Sequence, residues 1–366
     1  MRCLVTGSLL EFVDLALAQS AQPLVSSESS AQLQAVAARL PGVPRILFEC
    51  RLASEDNRVD LSQSFLRSDL ASLRDLLGGI RFHGSAWQNI ASLLDAWSLP
   101  DGLVNRSVEG IWLEFDLVSN MGSQLPVPAV FLNLTLDNSS SESRLRASKT
   151  LQEIASILGV GDAAGEMTGQ LVKYVDLLPG KVSLSYIGFM LSRNPCTMRV
   201  QFSGFSQAGL ISFLAAPGLQ DCERSYAAAI DLAFGSFEAC VLGIDLAPEV
   251  TPRIGLELFP SQYRQGVDAL SFLDVLVNAG LCTKVKCAAA LDWPRRYQPG
   301  DAPAPWPEAL VLESLLGDPQ QLGVIDRRIN HFKLVCEPGD RLEAKVYLAA
   351  DHFWARLDGS DSTRLA

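Results

Sequence analysis

The stretch from Arg328 to Ala349, RINHFKLVCEPGDRLEAKVYLA, constrains the fold more than any other part of the chain. Ile329, His331, Lys333 and Val335 alternate with Asn330, Phe332, Leu334 and Cys336. Beyond Glu337-Pro338-Gly339-Asp340, the residues Glu343, Lys345 and Tyr347 alternate with Leu342, Ala344, Val346 and Leu348. Period-two alternation around a Pro-Gly turn predicts a β-hairpin with one apolar face and one polar face. The polar positions are odd-numbered on both arms, so a two-residue loop would set Lys333 against an apolar position. Keeping one polar face requires an odd loop, here three residues with a bulge, which pairs Glu337 with Arg341. Lys333 then lies opposite Lys345, and His331 opposite Tyr347. Directly opposed like charges cost stability, so either nearby carboxylates offset them or the face is built to meet an anion.

The same design recurs four more times. Hairpins are expected to begin near residues 45, 109, 183, 237 and 328, with almost no identity between them. Helices are expected over 31–40, from Ser68 on, and over 86–97, 148–158, 167–178, 207–214, 222–234, 267–279 and 307–316, from apolar spacing and cap residues. The chain reads as helix, strand, strand, helix, five times over, a repeat of architecture rather than of motif. Ten antiparallel strands leave fewest edges when closed into a barrel. The apolar strand faces would then meet an outer layer of helices. The polar faces would point into a solvent-filled lumen carrying Arg51, Arg58, Arg199, Arg253, Lys333 and Lys345 against Glu49, Asp60, Glu114, Asp116, Asp245, Glu257 and Glu343. Such a mixture suits internal ion pairs, or a zwitterionic or peptide ligand, as well as it suits an anion.

Residues 1–44 are expected to form helices packing on the barrel, with Leu9, Leu10, Val13 and Leu17 on one side of the first. Residues 45–350 form a single barrel domain, with a Pro-rich loop or lid at 281–307, and 351–366 form a polar tail. With 30 basic against 41 acidic residues the net charge is −11, which speaks against nucleic acid and against an anionic membrane surface. Glu11 and Asp14 interrupt the N-terminal apolar run, unlike a signal peptide. A cytoplasmic protein is expected, monomeric or homodimeric. The eight cysteines form no CxxC pair and the three histidines form no ligand motif, so reduced thiols are expected and zinc is not. GVGDAAG at 159–165 follows a helix rather than a strand and is not a dinucleotide loop. GFSQAG at 204–209 is one residue off the hydrolase elbow and in an antiparallel context.

Five α-β-β-α units around a ten-stranded antiparallel barrel resemble the ABBA aromatic prenyltransferases, also called PT barrels. Lys345-Val346-Tyr347 looks like the K-x-Y element that recurs on the strands of that family. The resemblance implies an α+β fold and a lumen that transfers an isoprenyl group from a prenyl diphosphate to an aromatic small molecule or a peptide side chain. It implies no required cofactor; Mg²⁺ is not indicated by any DDxxD-type run. Carried onto this chain, Arg58, Arg199, Gln201, Arg253, Lys333, Lys345 and Tyr347 would hold the diphosphate. Trp112, Phe131 and Tyr186 would shield the allylic cation, and Glu49, Glu114 and His331 would serve in acid–base or orienting roles. The chain departs from the pattern at Asn133 and Thr135, where no cation stands, and at Glu257. A same-fold lyase, isomerase or cyclase, or a non-catalytic ligand- or peptide-binding barrel, remains the alternative.

Overall fold

The computed structural model describes residues 8–18, 23–53, 57–70, 84–117, 125–134, 141–193, 196–215, 219, 223–247, 253–260, 265–337 and 341–356. Two helices, α1 (Leu9–Leu17) and α2 (Ser27–Ala37), precede the first hairpin, β1 (Arg45–Arg51) and β2 (Val59–Leu66). Next come α3 (Ser85–Ser98), α4 (Leu103–Ser107), β3 (Val108–Phe115), β4 (Ala129–Leu134), α5 (Ser141–Ile157) and α6 (Gly161–Asp176). Hairpin β5 (Ser183–Met190) and β6 (Thr197–Phe205) leads to α7 (Gln207–Leu214) and α8 (Glu223–Phe234). Then follow β7 (Cys240–Leu246), β8 (Arg253–Leu258), α9 (Gln265–Asn278), α10 (Lys284–Asp292), β9 (Arg295–Tyr297) and α11 (Glu308–Leu316). The long pair β10 (Gln321–Glu337) and β11 (Arg341–Arg356) completes the order.

Strands β1 to β8 pair antiparallel in chain order, β8 pairs with β10, β10 with β11, and β11 with β1. The ring of ten strands is closed, which leaves the main sheet without an open edge. This is the ten-stranded antiparallel barrel expected from the sequence. The fifth hairpin has the register read from its alternation: Glu337 faces Arg341, Lys333 faces Lys345, and His331 faces Tyr347. A bulge lies in the strand, where the register shifts between Ile329 and His331; residues 338–340 of the turn lie outside the described residues. This hairpin also runs beyond the expected bounds at both ends, and β9 pairs alongside its outer extension.

The alternation decides the layers. Ile46, Phe48, Val200, Phe202, Ile244, Leu256, Phe332 and Leu348 are fully or almost fully buried between sheet and helices. Each such side chain contributes about 1.5–3 kcal/mol through burial. Trp97 of α3 is buried and donates its indole N–H to the Val108 carbonyl at 2.9 Å, tying a helix to the strand that follows it. In α1 the buried side is Leu9, Phe12, Val13 and Ala16, whereas Leu10 and Leu17 are only partly covered.

Residues 282–306 are more ordered than a Pro-rich loop. Thr283 caps α10, its hydroxyl accepting from the Lys286 backbone N–H at 3.2 Å. The Ala-rich run after it is a good helix former, and the prolines fall outside that run. Lys286 is buried and donates to the carbonyls of Arg51 and Ala53 at 3.0 and 2.7 Å, closing the end of β1. Trp293, fully buried, donates to the Ala349 carbonyl. Arg327, 1% exposed, stacks over Trp293 with 4.2 Å to the ring centre and donates to the carbonyls of Trp293 and Ala16. One buried guanidinium thus fastens the C-terminal end of α1, where the helix dipole favours a cation, to the barrel.

The six described cysteines are free thiols, and five are buried. Burial pushes Cys50, Cys240 and Cys282 up to about 12. His83, most of the helix expected after Ser68, and residues 357–366 of the expected tail lie outside the described residues. Among the described residues, no helix is long and apolar enough to cross a membrane.

Candidate active site

The inward faces of the strands enclose a cavity of about 280 Å³ at the barrel end where the hairpins turn. Its lining is charged: Glu49, Arg51, Arg58, Asp60, Glu114, Asp116, Arg193, Arg199, Asp245, Arg253, Lys333, Glu343 and Lys345 all reach it. Each comes from a lumen position fixed by strand parity, except Arg58, which precedes β2, Arg193 and Asp116.

Cross-strand register brings the charges together. Glu49 on β1 pairs with Tyr347 on β11, and Arg51 pairs with Lys345. The Glu49 carboxylate accepts from Lys345 Nζ at 2.6 Å and from the Tyr347 hydroxyl, with Arg51 Nη2 3.5 Å away. Burial alone would raise its pKa, but the cations around it win and hold it well below the usual carboxylate range. Arg51 reaches on to Asp60 Oδ2 at 2.6 Å. Asp60 is nevertheless pushed up to about 6, because burial and the neighbouring Glu49 charge outweigh Arg51.

Lys333 donates to Glu257 Oε1 at 2.9 Å and Gln201 to the same oxygen at 2.8 Å. Glu257 is lowered despite its burial, chiefly by Lys333. Arg199 forks onto Asp245 at 2.5 and 2.9 Å, and Arg193 adds a third contact at 3.1 Å. The opposed Lys333–Lys345 pair is therefore offset on both sides, by Glu257 and by Glu49.

Glu114 on β3 is the exception. It faces the cavity, and no hydrogen bond or salt bridge engages its carboxylate among the described residues. Burial, then the charge of Glu49, pushes it up to about 7. A carboxyl group at that value exchanges a proton near neutral pH.

Beneath the charged tier, one or two residue pairs further from the turns, lies an aromatic tier. Trp112 pairs across β3 and β4 with Phe131, and packs toward Tyr347 on one side and Phe131 and Met190 on the other. Burial raises the pKa of Tyr186. His331 is stacked between Phe259 and Tyr347, with ring centres 4.7 and 4.0 Å away. Its Nδ1 lies 2.7 Å from Asn330 Oδ1, and its buried Nε2 has no hydrogen-bond partner among the described residues. Burial brings its pKa down to about 4, so the ring is neutral at pH 7. The Phe131 ring lies 6.0 Å from the Arg199 guanidinium carbon and the Tyr347 ring 5.8 Å from Lys333 Nζ, so both present a face to a cation.

Of the residues singled out from sequence, Glu49, Arg58, Glu114, Arg199, Arg253, Lys333 and Lys345 line the cavity. Gln201, Tyr347, His331, Trp112, Phe131 and Tyr186 stand outside its lining, and Gln201 serves to hold Glu257. Sequence reasoning missed Arg193, which leaves β5 before the turn and has no strand parity to betray it.

No family model matches the chain, and no curated protein matches it. Among solved structures it is similar to 5-dimethylallyltryptophan synthase from Streptomyces coelicolor, at 13% identity over 93% of this chain and 94% of that one, with a TM-score of 0.48. It is similar to AnaPT from Neosartorya fischeri at 11% identity over 93% and 92%, TM-score 0.49. The apo form of the prenyltransferase PriB matches at 16% identity over 94% of each chain, TM-score 0.45.

Proposed function

We propose that the chain is a prenyltransferase-like enzyme that works in the barrel lumen, moving an isoprenyl group from a prenyl diphosphate to an aromatic small molecule or peptide side chain. The observation that carries this reading is the two-tier lumen, in which the faces of Phe131 and Tyr347 are turned toward the cations of Arg199 and Lys333. Diphosphate departure requires fixed positive charge at its oxygens. The allylic cation left behind requires ring faces and the exclusion of water. In this reading the allylic C–O bond breaks and the diphosphate leaves with the electron pair onto the Lys and Arg groups. The acceptor ring attacks the cation and then loses a proton, for which Glu114 is the carboxylate with free lone pairs. Glu49 acts differently from the acceptor-orienting role the resemblance implied, because Lys345, Tyr347 and Arg51 already engage it. It orients the cations. Fixed side-chain charge makes a metal ion dispensable.

The test is thermal unfolding of the full chain with dimethylallyl and geranyl diphosphate. A ligand at 100 times its Kd stabilises by about 2.7 kcal/mol, and that gain is expected for one of the two and is lost in Arg199→Ala. Absence of any shift with both would end the reading.

One observation favours a second reading. Lys345, Lys333, Arg51 and Arg199 are each already matched by a carboxylate. A lumen balanced in this way also suits a zwitterionic substrate undergoing acid–base chemistry at Glu114, as in a lyase, isomerase or cyclase. Binding of amino acids or short peptides without any response to prenyl diphosphates would select it.

A further inference from the structure

A second cavity, of about 90 Å³, lies outside the lumen and shares no lining residue with it. It sits between α1, α11 and the part of β11 that runs beyond β1, and Phe12, Val43, Leu310, Phe353 and Trp354 form its apolar wall. Glu11 Oε2 accepts from the Glu308 backbone N–H at 2.7 Å, which ties the start of α11 to α1 and holds the two helical sides together. Whole ligand pockets run to several hundred Å³, so this one matches a single anchoring side chain.

Helix α11 carries the apolar surface outward. Val311 and Leu312 are 41% and 52% exposed, and Leu315 and Leu316 are 75% and 87% exposed. Helical spacing puts all four within about 140° of the circumference. Ala309 and Glu313, which line the cavity, come next around the helix beyond Leu316, so face and cavity form one groove. Scattered apolar residues on a surface need no explanation, but a contiguous patch beside a cavity marks an interaction site.

Charge selects the occupant. Glu11, Asp69 and Glu313 line the cavity, and no Lys or Arg does so among the described residues. Helix α11 itself, EALVLESLL, holds two glutamates and no cation. A second copy of the chain would set these carboxylates against their own equivalents, and like charges facing across an interface are disfavoured. An anionic lipid surface meets the same repulsion. A basic segment meets attraction instead.

We propose that this groove docks an amphipathic helix of a partner polypeptide. Its apolar stripe lies on Val311, Leu312, Leu315 and Leu316, one apolar side chain enters the cavity, and its Lys or Arg residues stand over Glu11 and Glu313. The groove is separate from the lumen, so its occupant is independent of the reaction proposed there.

The probe is a fluorescein-labelled peptide of about 14 residues with Leu on one helical face and Lys on the other, titrated into the full chain and read by fluorescence anisotropy. A scrambled peptide of the same composition controls for general attraction to an acidic protein. The ordered peptide binds about tenfold or more tightly than the scrambled one, and the double variant Leu312→Gln, Leu316→Gln removes that difference. Glu313→Gln weakens the ordered peptide about two- to fivefold and reduces its salt dependence. Equal affinity for the two peptides, or an unchanged affinity in the double variant, overturns the proposal. So does a wild-type dimer in sedimentation that the double variant dissociates while the peptide fails to bind, which would assign the face to a second copy. Flotation with vesicles containing phosphatidylserine, lost in the double variant, would assign it to lipid and overturn the proposal as well. If the double variant does not fold, Leu315→Gln, at a more exposed position, decides by the same comparison.

Discussion

Glu49 and Glu114 share a lumen and a residue type but carry opposite charge behaviour. Glu49 sits on β1 where register places Lys345 and Tyr347 of β11 against it, and its pKa is held low. Glu114 sits on β3, where register places Ser62 and Ala129 beside it, and its pKa rises to about 7. Glu49 is buried, whereas Glu114 keeps one side open to the cavity. What also differs is the supply of positive charge from adjacent strands. A buried carboxylate becomes structural where register gives it donors, and becomes titratable where register does not.

The largest test of that contrast is Glu49→Ala. It leaves Lys345 and part of Arg51 buried without their carboxylate, and a loss of about 3–5 kcal/mol is expected in urea unfolding. Glu114→Gln removes no partner and should leave stability at pH 8 unchanged or raised. Equal losses for the two variants would erase the distinction.

The pH dependence of Glu114 comes next. Its folded value of about 7 lies above the ordinary 4.5, so the folded state holds the proton more tightly. Stability contributed by the protonated group is full below 4.5 and is lost as pH rises toward 7. Relative to Glu114→Gln, wild type should therefore lose about 2 kcal/mol between pH 4.5 and 7.5, after discounting for the group's open side. Parallel stability curves for the two proteins would show that Glu114 is not perturbed.

The smallest expected effect is at His331, whose folded value of about 4 lies below 6.5. The unfolded chain takes up the proton first, so stability falls as pH drops from 6.5 to 4. His331→Phe keeps the stack against Tyr347 and Phe259 and should flatten that fall by about 1–2 kcal/mol at pH 4.5. Chevron or equilibrium urea data at pH 7 and 4.5 measure it.

Much of the barrel was legible because parity is a local property. Once a residue is assigned to a strand, its face follows from counting by two, and Arg199, Asp245, Lys333 and Lys345 all fall inside for that reason. Closure was legible too, since ten antiparallel strands leave fewest edges when the ring is shut, and the fifth hairpin's register follows from keeping its polar positions on one face. Helix α10 was obscured by the prolines after it, although Thr283 and the alanine run carried its signal. Arg193 was hidden because parity stops where a strand ends. The length of β10 and β11 beyond 328 and 349 depends on β9 and on Arg327, contacts made by residues distant in sequence.

By itself the sequence determined the alternation, the number of hairpins, the face of the lumen residues that lie within strands and the near balance of lumen charge. Only the tertiary structure decided which cation meets which carboxylate, because pairing depends on neighbouring strands and on side-chain reach, neither of which is local. It made Glu49 a fixed anion and left Glu114 free. Those choices depend on distances across a closed barrel, and a linear chain carries no distance between residues until the barrel closes.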